Sequence, residues 1–127
     1  MELDLKYRAL LGKAGFMACN YGLADEAKQI FDALHSTAPD RVGPMIGQAM
    51  ACAAAGDFTA AVKRLKDEVL KDNPDDNDAK AYLGLVYHLD GKNDEAKKVL
   101  QPLAENGNAF AEAIMQEIGG GTKGLGD

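Results

Sequence analysis

Three glycines set the frame within which this chain can fold. Gly22, Gly56 and Gly91 stand 34 and 35 residues apart. Five positions beyond each lies a small residue, Ala27, Ala61 and Ala96, and four further on a bulky apolar one, Phe31, Leu65 and Leu100. A fixed period of this length marks stacked supersecondary units, each too small to bury its apolar face alone. A chain built this way forms a linear array, because each unit finds its core only against its neighbours.

The unit is plainest between Val42 and Leu70. Its first half, V-G-P-M-I-G-Q-A-M-A-C-A-A-A-G, carries no charge and has Gln48 as its polar side chain. It is too short and too rich in glycine for a membrane span, which takes ~20 apolar residues. A helix apolar on every side is one surrounded by protein or awaiting a partner. Gly56 breaks it, Asp57 can cap a second helix, and Ala61, Val62, Leu65, Val69 and Leu70 form the stripe of that helix. The unit is a helix hairpin. Extended along the chain, the pattern predicts helices over 3–21, 24–37, 41–55, 58–71, 77–90, 94–105 and 109–118.

The columns have physical reasons. Small residues let two helices approach closely where they cross, and Phe31 or Leu65 fills the space beside them. Pro39 and Pro74 end second helices, since proline clashes with the preceding turn and disfavours helix in its predecessor. Pro102 falls inside the sixth helix and should kink or shorten it. The last helix, with Phe110, Ala113, Ile114 and Ile118, suits a cap over the final unit.

These columns resemble the tetratricopeptide repeat, whose signature is W-x2-L-G-x2-Y…A-x3-F…P. Repeat one (8–41) supplies Leu11, Ala14-Gly15, Ala18, Gly22, Ala27, Phe31 and Pro39. Repeat two (42–76) supplies Met45, Gln48-Ala49, Cys52, Gly56, Ala61, Leu65 and Pro74, with one extra residue before the proline. Repeat three (77–110) supplies Leu83-Gly84, Tyr87, Gly91, Ala96 and Leu100, and lacks the closing proline. The resemblance implies an all-α, right-handed helix-hairpin solenoid of three repeats, a single domain over 1–118 with a capping helix at 109–118. The tail 119–127 holds five glycines in nine residues and is expected to be disordered.

Composition narrows the function. The chain has 127 residues, 27% charged and 46% hydrophobic, with a net charge of -6. That acidity argues against a nucleic-acid footprint, which needs a basic face. The amino terminus lacks the basic start and apolar run of a signal peptide, and the expected location is cytoplasmic. Cys19 and Cys52 lack C-x-x-C spacing, so neither a zinc site nor a disulfide framework is indicated.

Catalysis is not expected. Ser36 is the sole serine and sits beside Thr37 at a helix end, where capping is the usual role. His35 and His88 occupy non-equivalent positions without H-x-x-x-H spacing. Asp72, Asp75, Asp76 and Asp78 crowd one loop but lack the glycine and closing glutamate of a calcium loop, so a solvated loop with an N-cap is the expectation. Lys63, Arg64 and Lys66 read as a solvated helix side. No cofactor and no metal are implied.

In tetratricopeptide-type solenoids the first helix of each hairpin lines a concave groove. Carried over by position, the resemblance implies a partner-binding groove of Phe16, Cys19, Asn20, Ile46, Met50, Ala53, Leu85, His88 and Leu89, with Ala9, Gly12 and Gly43 among the other inward positions. The sub-column Phe16, Met50, Leu85 is apolar throughout and is expected to form an open strip. Gly12, Phe16, Ile46 and Met50 stand where repeats that grip chaperone carboxylate tails carry Lys and Asn, so an apolar or amphipathic helical segment is the implied partner. In size, acidity and plan the chain is similar to the small tetratricopeptide-type chaperones of bacterial type III secretion, which hold needle or translocator subunits before export. The resemblance thus implies a non-catalytic cytoplasmic chaperone that shields a protein or peptide segment, without membrane insertion, and it admits a homodimer. A general adaptor or a structural subunit of a larger assembly is the alternative.

Overall fold

The computed structural model describes residues 5–126, with side chains over 5–119, and no strand occurs among them. Helical rods follow one another as antiparallel neighbours. They are α1 (Leu5–Asn20), α2 (Ala24–Thr37), α3 (Val42–Ala54), a composite fourth rod, α6 (Asn77–Leu89), α7 (Asn93–Glu105) and α8 (Ala109–Gly126). The fourth rod begins as α4 (Phe58–Lys63), passes through a π-helical turn (Arg64–Val69) and ends as α5 (Leu70–Asp72). Each first helix packs on its own second helix and on the next first helix, so the rods stack as a tetratricopeptide-like helical repeat.

Gly22, Gly56 and Gly91 each adopt φ between 74° and 85°, the left-handed conformation that glycine takes without a Cβ penalty. At Gly56 the N–H donates to the Ala53 carbonyl and the Asp57 N–H reaches back to that of Cys52. This is the Schellman closure, and it recurs at Gly22, Gly91 and also Gly107, which joins α7 to α8. Asp57, Asp76 and Asn108 then cap the next helices by accepting from the N–H of Ala60, Ala79 and Ala111. The crowded aspartate loop therefore contributes one cap, Asp76.

The columns seat as their sizes require. Ala27, Ala61 and Ala96 are each fully buried, and so are Phe31, Leu65 and Leu100 beside them. Phe31 is wedged between α1 and α3: a Cβ on Gly15 or Gly47 would come within 2.6 or 2.1 Å of its ring. Leu100 lies against Gly84 in the same manner, 2.4 Å from where a Cβ would stand. These glycines are where the solenoid is tightest.

The extra residue of the second repeat has a definite place. In α2 the buried Phe31 and Leu34 are three apart, and in α7 so are Leu100 and Leu103. In the fourth rod the matching residues, Leu65 and Val69, are four apart and both fully buried. The π-helical turn spans that interval, widening one turn so that both side chains still face the core.

Two expectations change. α7 runs through Pro102 to Glu105 without being shortened, because the proline stands in the last turn. Pro102 still accepts, through its carbonyl, the N–H of Asn106. The backbone of α8 continues past Ile118 to Gly126, and Asp127 lies outside the described residues. Within α8, Ala111 and Ile114 are buried while Ala113 is exposed, so Ala111 takes the packing role expected of Ala113. No helix among the described residues is long and apolar enough to cross a membrane.

Candidate functional site

Six of the nine expected groove residues come together. Ile46, Met50 and Ala53 of α3 are buried in the central cluster, and Phe16, Cys19 and Leu85 pack against it from α1 and α6. Asn20 and Leu89 stay exposed at the helix ends, and His88 is half-buried with its Nδ1 2.9 Å from Oδ1 of Asn93. The residues expected to form an open strip are neighbours, but the strip is closed in its middle: Met50 is 7% and Ile46 3% exposed.

An aromatic ladder accounts for the closure. The Phe16 ring stacks on Tyr82 of α6 at 5.5 Å between centroids, meets Phe31 edge-on at 4.8 Å, and Tyr82 continues to Phe110 of α8 at 5.1 Å. These separations lie in the range of favourable ring pairs, each contributing about 0.5–1.5 kcal/mol beyond area burial. The ladder joins the first repeat to the third, and Phe16 and Tyr82 both pack against the cluster that holds Ile46 and Met50. Burial raises the pKa of the Tyr82 hydroxyl, with a further push from Asp78 and Cys19.

Two open hollows lie along α1. One cavity of about 430 Å3 is bounded by α1, the end of α2 and the start of α3, with Arg8 and Arg41 among apolar walls that include Phe31, Leu34 and Val42. A second, of about 500 Å3, runs along α1 to Tyr82, past Lys13, Met17 and Asn20. The two share Ala9, Gly12 and Phe16 as a common floor. At Gly12 a Cβ would meet nothing within 4 Å, so the missing side chain widens the groove. Arg8 is held in place by Thr37 and by the Leu34 carbonyl, 3.2 Å from its Nη2.

Other candidate chemistry disperses. No group of three or more His, Cys, Asp or Glu is placed to hold a metal among the described residues. Cys19 and Cys52 are free, half-buried thiols whose pKa values are raised chiefly by burial, which disfavours the reactive thiolate. Arg64 is not part of a solvated side with Lys63 and Lys66. It lies half-buried, ion-paired to Glu68 at 2.6 Å and donating to Gln48, whose amide donates in turn to Asp32 at 2.9 Å. This polar chain links α2, α3 and the π-helical turn. The Lys28 ammonium, 2.6 Å away, is the main reason the Asp32 carboxyl titrates below its ordinary value.

The residue sequence reasoning missed is Tyr82, whereas Gly12 beside it was among the expected inward positions. Tyr82 stands in the same column as Lys13 and Gly47, not in that of Phe16. A stack between unlike columns leaves no periodic trace.

Residues 53–115 match the family described as Tetratricopeptide repeat. That stretch runs from the end of α3 through the fourth rod and the α6–α7 hairpin into α8. No curated protein and no solved structure gives a significant match to the chain. Tetratricopeptide repeats are in general protein-interaction modules, which agrees with a groove bordered by apolar and small side chains.

Proposed function

We propose that this protein is a non-catalytic binding module that holds an apolar or amphipathic-helical segment of a partner protein. The observation that carries the reading is the pair of open cavities meeting over Ala9, Gly12 and Phe16. Their combined length along α1 suits a helix laid into a groove, where apolar anchors give most of the affinity. Phe16, Met17, Asn20 and Tyr82 would be the contacts. Ile46, Met50 and Ala53 support them from beneath, because they are buried. The finer reading is a cytoplasmic chaperone of the kind that keeps a type III secretion subunit unassembled, supported by small size, acidity and the solenoid plan. A second reading, a general adaptor, is favoured by the apolar residues that α1 exposes on its outer side.

The test uses Gly12. Gly12→Gln places a flexible, uncharged side chain in open space, so the fold should be kept while the groove is blocked. Partner segments recovered with the wild-type protein should bind the variant about tenfold or more weakly, by calorimetry on the purified pair. Unchanged affinity would place the partner elsewhere. Met50→Glu is not an equivalent probe, since a charge on a buried side chain destabilises the core itself.

A further inference from the structure

The outer side of α1, continued by Tyr21 just past its end, carries a second pattern that meets the groove only at Met17. Leu10, Ala14, Met17 and Tyr21 follow one another at intervals of four, three and four residues, the 3.5-residue period of a coiled-coil seam. All four face solvent, Leu10 at 63%, Met17 at 57% and Tyr21 at 75% exposure. The opposite side of α1, with Gly15 and Ala18 buried, packs onto the solenoid. A helix that is apolar on both sides buries one face on the solenoid and leaves the other without a neighbour among the described residues.

Charge says what the seam would accept. α1 contains Lys6, Arg8 and Lys13 and no acidic residue, in a chain whose net charge is -6. Lys6 and Lys13 are exposed one heptad apart along one flank of the seam, the position from which coiled coils choose partners by charge. They also rim an open hollow of about 470 Å3 floored by Ala9 and Leu10. A second copy of α1 laid antiparallel would set these lysines against the same lysines of its partner. Laid parallel, it would set them against Leu11 and Ala18, which offer no charge. An acidic helix meets both requirements.

We propose that the seam of α1 docks one helix of a partner protein, apolar along its own 3.5-residue seam and flanked by Glu or Asp. This surface borders the groove over Gly12 along Lys13 and Met17 but is centred on Leu10 and Ala14, and its occupant is a helix other than the one held in the groove. The complex would be a short two-stranded coiled coil whose second strand belongs to the solenoid.

The probe is a synthetic peptide of about three heptads with Leu at its seam positions and Glu on both flanks, compared with the same peptide carrying Lys on both flanks. Binding is measured by calorimetry against the full chain, with circular dichroism as the control for folding. The Glu peptide should bind about tenfold or more tightly than the Lys peptide. Lys6→Glu with Lys13→Glu should reverse that order, Leu10→Ser should weaken both, and Gly12→Gln should leave the Glu peptide unaffected. Equal affinity for the two peptides, or no binding of either, overturns the proposal. So does a wild-type dimer that Leu10→Ser dissociates, since the seam would then belong to a second copy. Loss of the peptide with Gly12→Gln but not with Leu10→Ser would put it in the groove, refuting the seam while leaving the proposed function standing.

Discussion

At the carboxyl-terminal end α8 lays Ala111 and Ile114 over Leu100 and Leu103, whereas at the amino-terminal end α1 holds Leu10 and Met17 in solvent. Both helices have an apolar stripe, and both are terminal among the described rods. The difference lies in how each stripe is used. Among the described side chains, α8 spends Ala111 and Ile114 on the last hairpin. α1 spends Gly15 and Ala18 on the solenoid and still has a stripe left over. An apolar face left open among the described rods signals a surface with a use.

The comparison is broken most easily at Ile114, which is 5% exposed. Ile114→Ala should cost about 2–4 kcal/mol in denaturant unfolding, because it removes packed methylenes and leaves a cavity under the cap. A cost below ~1 kcal/mol would mean that α8 does not cap the array.

A smaller but cleaner contrast comes from two glycines in first helices. Gly84→Ala would bring a Cβ to 2.4 Å from Leu100, and overpacking of this kind costs roughly 1–3 kcal/mol. Gly12→Ala meets nothing and should raise stability by about 0.5–1 kcal/mol through helix propensity. The two variants should move the thermal midpoint in opposite directions. A loss of stability in both would show that α1 is covered at Gly12.

Leu10→Ser probes the exposed face of α1. At 63% exposure the side chain has little to lose, and the change in unfolding free energy should stay within ~0.5 kcal/mol. A loss comparable with that at Ile114 would reveal a neighbour covering the seam. The smallest effect belongs to the glycine-rich end. We propose that truncation after Ile118 leaves the unfolding midpoint unmoved, since glycines gain too little in contacts to repay their ordering entropy. A clear drop would show that this segment is docked.

The hairpins were legible in the sequence because their causes are local and recur. A left-handed glycine, a small residue at a crossing and a bulky one beside it each leave the same residue type at the same spacing. The groove was legible only in outline. Phe16, Met50 and Leu85 do converge, but the burial of Met50 depends on α1 and α6 both closing over α3, which no single repeat encodes. The Phe16–Tyr82 stack joins different columns, and the seam of α1 has a period of 3.5 residues superimposed on one of 34. The extra residue of the second repeat could be counted in the sequence. Its location, between Leu65 and Val69, could not be assigned without knowing which side chains reach the core.

That residue has a consequence for the array as a whole. In a straight α-helix one inserted residue rotates everything after it by about 100° about the axis. In a stack of near-identical units such a rotation would act like a dislocation in a crystal, misaligning each layer laid down later. The π-helical turn confines the fault to Arg64–Val69, and by Leu100 and Leu103 the lattice spacing is restored. Length variation in a second helix is thereby kept from altering the surface that the following hairpin presents.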